Sequence, residues 1–335
     1  MQAEGQLDRP VRWGVLGAGR IARVALVPAI AAASGAELVA VAARDKDRAG
    51  ALVPTGRAYA RYDDLVADPD VDIVYCALPN QAHLPWTLAA LDQGKHVLCE
   101  KPLALDAVEV DTVSAAARQA GRLVVEASWY RWHPRTLRAE GLTSSGEVGR
   151  VRHVEAGFTF SGIPVDDYRM DPRMGGGSLY DVGCYALSAV GWATGWAVLD
   201  VGEVRTRMSS GGVDMCIEAE LKARSGPPVS ARIRAAFDEP EKQWLHIEGE
   251  SGAIRFGSPA FSAWSTDATS IEIEGAGRGV RVETFEPCNP YQLMVEAVSQ
   301  AIRGQDTWVV PLAQSRAVAA AIDSIRLRQR PAGQP

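Results

Sequence analysis

The stretch Val11-Arg12-Trp13-Gly14-Val15-Leu16-Gly17-Ala18-Gly19-Arg20-Ile21-Ala22 decides the fold. Val11 to Leu16 is a short, mostly apolar run that ends at glycine, as a strand buried on both faces of a parallel sheet does. A helical stretch through Ala33 follows at once. Between the two stands a G-x-G-x-x-A pattern. Gly17 permits the tight turn, Gly19 lets backbone approach a pyrophosphate, and Ala22 keeps helix and strand close. The phosphates then meet the positive end of the helix. The stretch therefore predicts dinucleotide binding, with Arg20 and Ile21 inside the motif. Pro28 lies within the helical pattern and predicts a kink.

Working outward, Glu37 to Ala43 reads as the second strand, and its tip is Ala43-Arg44-Asp45. An enzyme that grips the ribose hydroxyls of NAD usually carries an acid there. Arg44 instead suits stacking on adenine and pairing with a 2′-phosphate. Lys46 stands beside it, and the small Ala43 leaves room. NADP(H) is therefore preferred, with NAD(H) still admitted. A solvated loop arginine and an Asp45 helix cap would account for the same residues.

Val71 to Leu78 reads as a strand ending at Pro79-Asn80, Leu84 to Gln93 as a helix, and His96 to Cys99 as a strand. Glu100-Lys101-Pro102 follows at its carboxyl end. Ligands of open parallel sheets gather at that edge. Leu78, Pro79, Asn80, His83 and Glu100 thus join the expected cofactor contacts, and Lys101 stands where a nicotinamide should lie. A lone loop lysine is more often only a surface charge; the sheet edge and the following proline argue for a role. Asp106 to Ala120 (helix) and Arg122 to Ala127 (strand) complete a domain over 11–127, preceded by a loose leader over 1–10.

The chain has 335 residues, above the usual single-domain size, so 128–335 is read as a second domain. Hydrophobic residues at 47% and charged residues at 23% fit an ordinary globular protein, and the net charge of −6 argues against nucleic acid or an anionic membrane as partner. Five scattered cysteines without C-x-x-C spacing read as reduced thiols in the cytoplasm. The first ten residues lack a signal-peptide core, and no apolar run approaches the roughly 20 residues of a membrane helix. His83, His96, His133, His153 and His246 are isolated, so no metal site is expected.

In the second half, strands are expected at 151–160, 198–207, 215–223, 229–236, 241–248 and 253–256. Alternation through Cys216–Lys222 and Ser230–Arg234 gives one apolar and one charged face. A broad antiparallel sheet of this kind needs cover, and a partner subunit would supply it. A homodimer or homotetramer through this sheet is therefore expected. An insertion over 161–195 carries Gly175-Gly176-Gly177, then a helix from Ser178 to Thr194 that sets Asp181 and Tyr185 one turn apart. On spacing alone, Tyr185 reads as a core aromatic and Asp181 as a helix-start acid. Trp129, Tyr130, Arg131, Tyr168 and Arg169 are candidate substrate contacts, since aromatic faces suit a sugar ring and arginines suit hydroxyls or phosphate. His133, before Pro134, reads as structural. Helices over 291–303 and 312–328 close the chain. The class is α/β: an N-terminal Rossmann domain with a parallel sheet, then an α+β domain with a large, mostly antiparallel sheet.

With these residues in hand, the chain resembles the glucose–fructose oxidoreductase/inositol dehydrogenase/rhizopine-catabolism (Gfo/Idh/MocA) family. The stretches that carry the resemblance are Gly17 to Ala22, Gly94 to Pro102, Tyr130-Arg131-Trp132-His133-Pro134, and Gly175 to Tyr185. The Glu-Lys-Pro stretch and the GGG-D-x-G pattern are more specific than the glycine motif. The resemblance implies hydride transfer between a nicotinamide and sugars, inositols or related polyols. Many members end the last pattern in histidine. With Tyr185 here, the chain resembles the branch that holds glucose–fructose oxidoreductase, dimeric dihydrodiol dehydrogenase, NADP-linked xylose dehydrogenase and some nucleotide-sugar ketoreductases. The resemblance implies Lys101 and Tyr185 as the catalytic pair, with Asp181 orienting substrate or Lys101. Ser128, Trp129 and Trp132 depart from relatives near dihydrodiol dehydrogenase, so substrate identity does not carry over. The rival readings are a non-catalytic NADP-binding sensor of the same fold and a hydrolase that uses redox cofactor chemistry.

Overall fold

Short runs rich in Val, Ile, Leu and Ala pair side by side in parallel because both their faces are buried. In the computed structural model, which describes residues 9–329 apart from 265, 276 and 278, six such strands form one sheet. They are β1 (Val11–Leu16), β2 (Ala36–Ala42), β3 (Arg57–Tyr59), β4 (Ile73–Cys76), β5 (His96–Cys99) and β6 (Val124–Glu126). Their order is β3-β2-β1-β4-β5-β6, all parallel. The strand order turns back on itself between β1 and β4, which is where such sheets take a nucleotide. The expected leader falls largely outside the described residues.

Eight further strands form the second sheet: β7 (Val151–Thr159), β8 (Leu199–Met208), β9 (Asp214–Ala223), β10 (Ser230–Ala236), β11 (Lys242–Gly249), β12 (Gly252–Phe256), β13 (Thr269–Gly275) and β14 (Gly279–Phe285). The order is β14-β13-β12-β11-β7-β10-β9-β8, and only the β7–β10 pair is parallel. The α/β class with a parallel and a mostly antiparallel sheet is therefore borne out. The last two strands were not expected from the sequence.

The chain divides into two compact units. The first holds Val108–Trp132, Asn289–Leu312 and the described residues through Ala104; the second holds Leu105–Ala107, His133–Cys288 and the described residues after Leu312. The helix Pro290–Ile302 thus packs back on the first sheet, where Trp13 Nε1 donates to Ser299 Oγ at 3.2 Å.

In the second sheet, Ile217, Ala219 and Leu221 of β9 and Ala231, Ile233 and Ala235 of β10 are buried on one face. The opposite face carries cross-strand ion pairs at directly opposed positions: Arg232 with Glu220 at 3.2 Å and Arg234 with Glu218 at 2.5 Å. Val280 and Val282 of β14 are each 59% exposed.

The kink expected at Pro28 takes a different form. The helix passes through a π-turn over Ala22–Leu26, closed by Val27 N–H to Ala22 O, and Val27–Ala32 is α-helical. A proline ring collides with the carbonyl four residues back and offers no N–H. One extra residue in the preceding turn relieves both problems.

The entry to β4 is held by charge. The Asp72 carboxylate accepts the Arg12 N–H at 2.9 Å and hydrogen bonds from the Arg9 and Arg12 guanidinium groups. Burial works against the charge, but these donors hold the carboxyl well below its usual range. Its contribution is therefore complete above the unfolded value near ~3.9 and is lost as pH falls through and below it. Asp72→Asn should destabilise the chain by about 1–2 kcal/mol at pH 7. Urea melts should show that gap shrinking below about pH 4.

Candidate active site

The glycine loop is shaped for a close ligand. Gly17 sits at φ +99°, and a Cβ there would lie 2.8 Å from Ala77 O, so only glycine fits. A Cβ on Gly19 would meet nothing within 4 Å. Gly19 and Arg20 are exposed, and Ile21 is half-buried ahead of the buried Ala22. The loop thus leaves open space beside Gly19 where backbone can approach a pyrophosphate, and the residues present fit a dinucleotide.

Arg44 and Lys46 lie exposed at the tip of β2, and Asp45 caps the helix Lys46–Leu52 by accepting the Asp47 N–H. The helix-cap reading of Asp45 is thus correct, and it leaves Arg44 available. One residue escaped the sequence reading: Arg48, whose guanidinium donates to Ala18 O at 2.7 Å and ties this helix to the glycine loop. Four-residue spacing from Arg44 was the signal that could have found it.

The ends of β4 and β5 form the other half of the sheet edge at which cofactor contacts are expected. Leu78, Pro79 and Lys101 are half-buried, and Asn80 is buried. Glu100 is also buried; its N–H donates to Cys76 O at 3.0 Å, continuing the β4–β5 ladder. Its Oε1 accepts the hydroxyl of the fully buried Tyr75, and its Oε2 accepts the Lys101 N–H at 3.2 Å. Burial, then the charge of Glu100, pushes the Tyr75 phenol far above its usual range, so it stays a donor. Sequence reading missed Tyr75, which looked like one more apolar strand residue.

His83, expected among the cofactor contacts, is instead wholly buried: Nδ1 faces Pro102 O and Nε2 faces Leu78 O, each at 2.8 Å. It braces the two segments of the edge. Burial pushes its imidazole below the usual range. Donor atoms of Cys76, His83 and Cys99 lie within 4.8 Å of one another, but both ring nitrogens are already turned to carbonyls.

The candidate substrate residues divide between the units. In the first, Trp129, Tyr130 and Arg131 are buried on one short 3₁₀ turn. Trp129 stacks on Tyr291 at 4.8 Å, and the Arg131 guanidinium lies 5.2 Å from the Trp308 ring. In the second, Arg169 donates from Nε to Asp181 Oδ2 at 2.9 Å and from Nη1 to Asp167, and it lies 4.8 Å from the Tyr168 ring. Burial disfavours the Arg169 cation, but Asp181, Tyr168 and Asp167 outweigh it and raise its pKa. The structure thus joins Asp181 to Arg169, which spacing alone did not suggest.

The helix carrying Tyr185 also departs from expectation. It opens with a π-turn over Leu179–Gly183 before the α-helix Cys184–Ala193. Asp181 and Tyr185 are therefore not an ordinary α-helical i, i+4 pair. Gly177 makes the entry possible: φ is +114°, and a Cβ would lie 2.2 Å from Asp214 Oδ1. Asp214 Oδ2 accepts Ser178 Oγ and the Leu179 N–H, each at 2.7 Å. Tyr185 is buried, with its ring 5.8 Å from that of Phe158 and 6.0 Å from that of Phe261. Phe158 and Phe261 also escaped the sequence reading; the i, i+2 pair Phe158/Phe160 was the available signal.

The profile of an oxidoreductase family with an NAD-binding Rossmann fold, the Gfo/Idh/MocA family, matches residues 11–128. The GFO/IDH/MocA C-terminal domain matches 136–255. The chain belongs to the Gfo/Idh/MocA family. This Gfo/Idh/MocA oxidoreductase is 39% identical over 320 residues to D-xylose 1-dehydrogenase (NADP(+)) 2 of Haloferax volcanii, across 93% of this chain and 95% of that one. It is 32% identical to trans-1,2-dihydrobenzene-1,2-diol dehydrogenase of Xenopus laevis, across 83% of each. Among solved structures it resembles a 3-ketoreductase from Actinomadura kijaniata in complex with NADP and TDP-benzene, with TM-score 0.89, 28% identity and coverage of 98% and 100%. The expected family and its oxidoreductase class are thus borne out.

Gly177→Ala should destabilise this family member by at least about 2 kcal/mol, because it adds both an unfavourable φ and a collision with the capping carboxylate. Thermal melting checks it, and Gly19→Ala, which meets open space, should melt within about 2 °C of wild type.

Proposed function

We propose that this chain is an NADP(H)-dependent oxidoreductase that moves hydride between the nicotinamide and a carbonyl or hydroxyl carbon of a sugar, nucleotide-sugar or related polyol. The observation that carries this reading is Lys101 at the carboxyl edge of β5, in a parallel sheet whose glycine loop stands open at Gly19. The relatives named above, with NADP in two of their names, support the cofactor and the substrate class.

NADP(H), when bound, supplies or accepts the hydride. The chain's own residues do the rest. Gly17 to Ala22 receive the pyrophosphate, and Arg44, Lys46 and Arg48 offer positive charge for a 2′-phosphate. Tyr185 donates a proton to the substrate oxygen in reduction and takes one in oxidation. The Lys101 cation favours negative charge on that oxygen and on the Tyr185 phenolate, lowering a phenol that titrates near ~10 when free. Asp181 holds Arg169 toward substrate hydroxyls or phosphate, and Phe158 and Phe261 keep water from the Tyr185 ring.

The charged face of the second sheet supports a homodimer or homotetramer. The five cysteines carry no disulfide, which supports a reducing cytoplasmic setting. Among the described residues, no helix is long and apolar enough to cross a membrane.

The test begins with fluorescence titration of NADPH against NADH, then a panel of aldoses, ketosugars and a trans-dihydrodiol followed at the nicotinamide absorbance. NADPH binding with turnover of one class is the expected outcome; binding without turnover across the panel would favour the sensor reading. Lys101→Ala and Tyr185→Phe should each lower kcat by about 10²–10⁴-fold and leave NADPH binding intact. Wild-type turnover in either variant would remove that residue from the mechanism. Arg44→Ala should weaken NADPH by about 10-fold and leave NADH unchanged, read from the same titrations.

A further inference from the structure

We propose that Tyr75 is a positioning residue for Lys101: its buried hydroxyl fixes the Glu100 carboxylate, and Glu100 fixes the main chain that carries Lys101. The inference rests on the reading of Lys101 given above and names a residue that does not itself touch substrate or cofactor.

Strand register creates the contact. Tyr75 pairs with Leu98 and Cys76 with Cys99. Side chains alternate along a strand, so Tyr75 and Leu98 share one face, and Glu100, two residues past Leu98, returns to it. Cys76 and Cys99 point to the other face, where His83 stands. Tyr75 reaches the Glu100 carboxylate from the first face, and His83 reaches Pro102 O from the second. Lys101 lies between these two anchors, with its own N–H on Glu100 Oε2.

The chemistry gives Tyr75 one use at this place. A carboxylate so deeply buried is costly unless donors surround it. The Tyr75 hydroxyl is such a donor, and burial beside Glu100 keeps its proton in place. A phenylalanine would pack equally well but would leave Oε1 without this bond, at a cost typical of a buried acceptor that loses its donor. Tyr291 of the helix Pro290–Ile302 and Cys99 of β5 also act on the Tyr75 phenol electrostatically, each in the same upward direction. With the hydroxyl gone, the Glu100 carboxylate turns, and the peptide bearing Lys101 loosens.

The test uses the full-length Tyr75→Phe chain, with two readouts. In the ligand-free protein, competitive acetylation with acetic anhydride, quantified by mass spectrometry, compares Lys101 with the exposed Lys222. The Lys101/Lys222 ratio should rise at least about threefold, since a lysine on a loosened main chain is reached and acetylated faster. With substrate and NADPH, kcat should fall about 10–100-fold while the NADPH dissociation constant stays within about threefold. In a Glu100→Gln background, Tyr75→Phe should change kcat by less than about threefold, because the partner through which it acts is gone. An unchanged acetylation ratio and unchanged kcat would overturn the proposal, as would a full additional loss in the Glu100→Gln background. If Tyr75→Phe fails to fold, Glu100→Gln alone decides: a raised ratio upholds the brace, and an unchanged ratio overturns it. Wild-type turnover in Lys101→Ala would instead sink the catalytic reading, and the acetylation ratio would still decide the brace.

Discussion

The parallel pairing of β4 with β5 is the constraint on which the cofactor edge depends. It sets Tyr75 against Leu98 and Cys76 against Cys99, and the pleat then sorts the neighbours by face. A shift of one residue would send every one of these side chains to the opposite face. The phenol would lose the Glu100 carboxylate, and the thiols would leave the His83 side. The register is well protected: all four residues of β4 and three of the four in β5 are buried, so slipping would expose apolar surface throughout the middle of the sheet. A structural preference of the hydrophobic core thus becomes a positional guarantee for Glu100-Lys101-Pro102.

Much of this architecture was legible in the sequence because hydrophobic period and glycine placement are local signals. β1 and β5 fall on the expected residues, and β9 and β10 show the alternation that the sequence displays. β14 was missed for a physical reason: Val280 and Val282 face outward, so its pattern runs against the rule that apolar residues mark the core. Distant pairings were equally hidden. Arg135 is buried, donates to the carbonyls of Gly257, Pro259 and Ala260, and is drawn down to about 10 by burial. Lys95 is buried too, with its ammonium on the carbonyls of Asp68 and Val71. In composition each is an ordinary surface cation. Nothing within a few residues of them in sequence announces a ring of main-chain oxygens waiting elsewhere.

The candidate site divides along the same line. The motifs themselves were readable, since a turn that needs positive φ or close approach demands glycine, and Gly17 and Gly177 answer that demand. What each motif residue touches was not. Asp181 and Arg169 are 12 residues apart and were singled out separately, yet they form one ion pair. His83 was read for its place near the sheet edge, but its two ring nitrogens are spent on main-chain carbonyls. Spacing can nominate a residue; only tertiary placement decides whether it meets a ligand or holds another residue still.

Both glycine-marked motifs lead into a helix that begins with a π-turn, Ala22–Leu26 in one unit and Leu179–Gly183 in the other. The causes differ. In the first, Pro28 cannot accept an ordinary α-helical turn before it. In the second, Gly183 lies where a Cβ would stand 3.0 Å from Leu179 Cδ1 and 3.4 Å from Ala235 Cβ, so the widened turn is pressed close to β10. The consequence is shared. A π-turn rotates the residues after it relative to those before, and it spoils the regular 3.6-residue period at that point. Asp181 and Tyr185 therefore point in directions that helix periodicity would not assign them, one toward Arg169 and the other into the ring cluster of Phe158 and Phe261. An acid and a phenol that an unbroken helix would stack on one face thus gain different neighbours: Arg169 for one, the rings of Phe158 and Phe261 for the other.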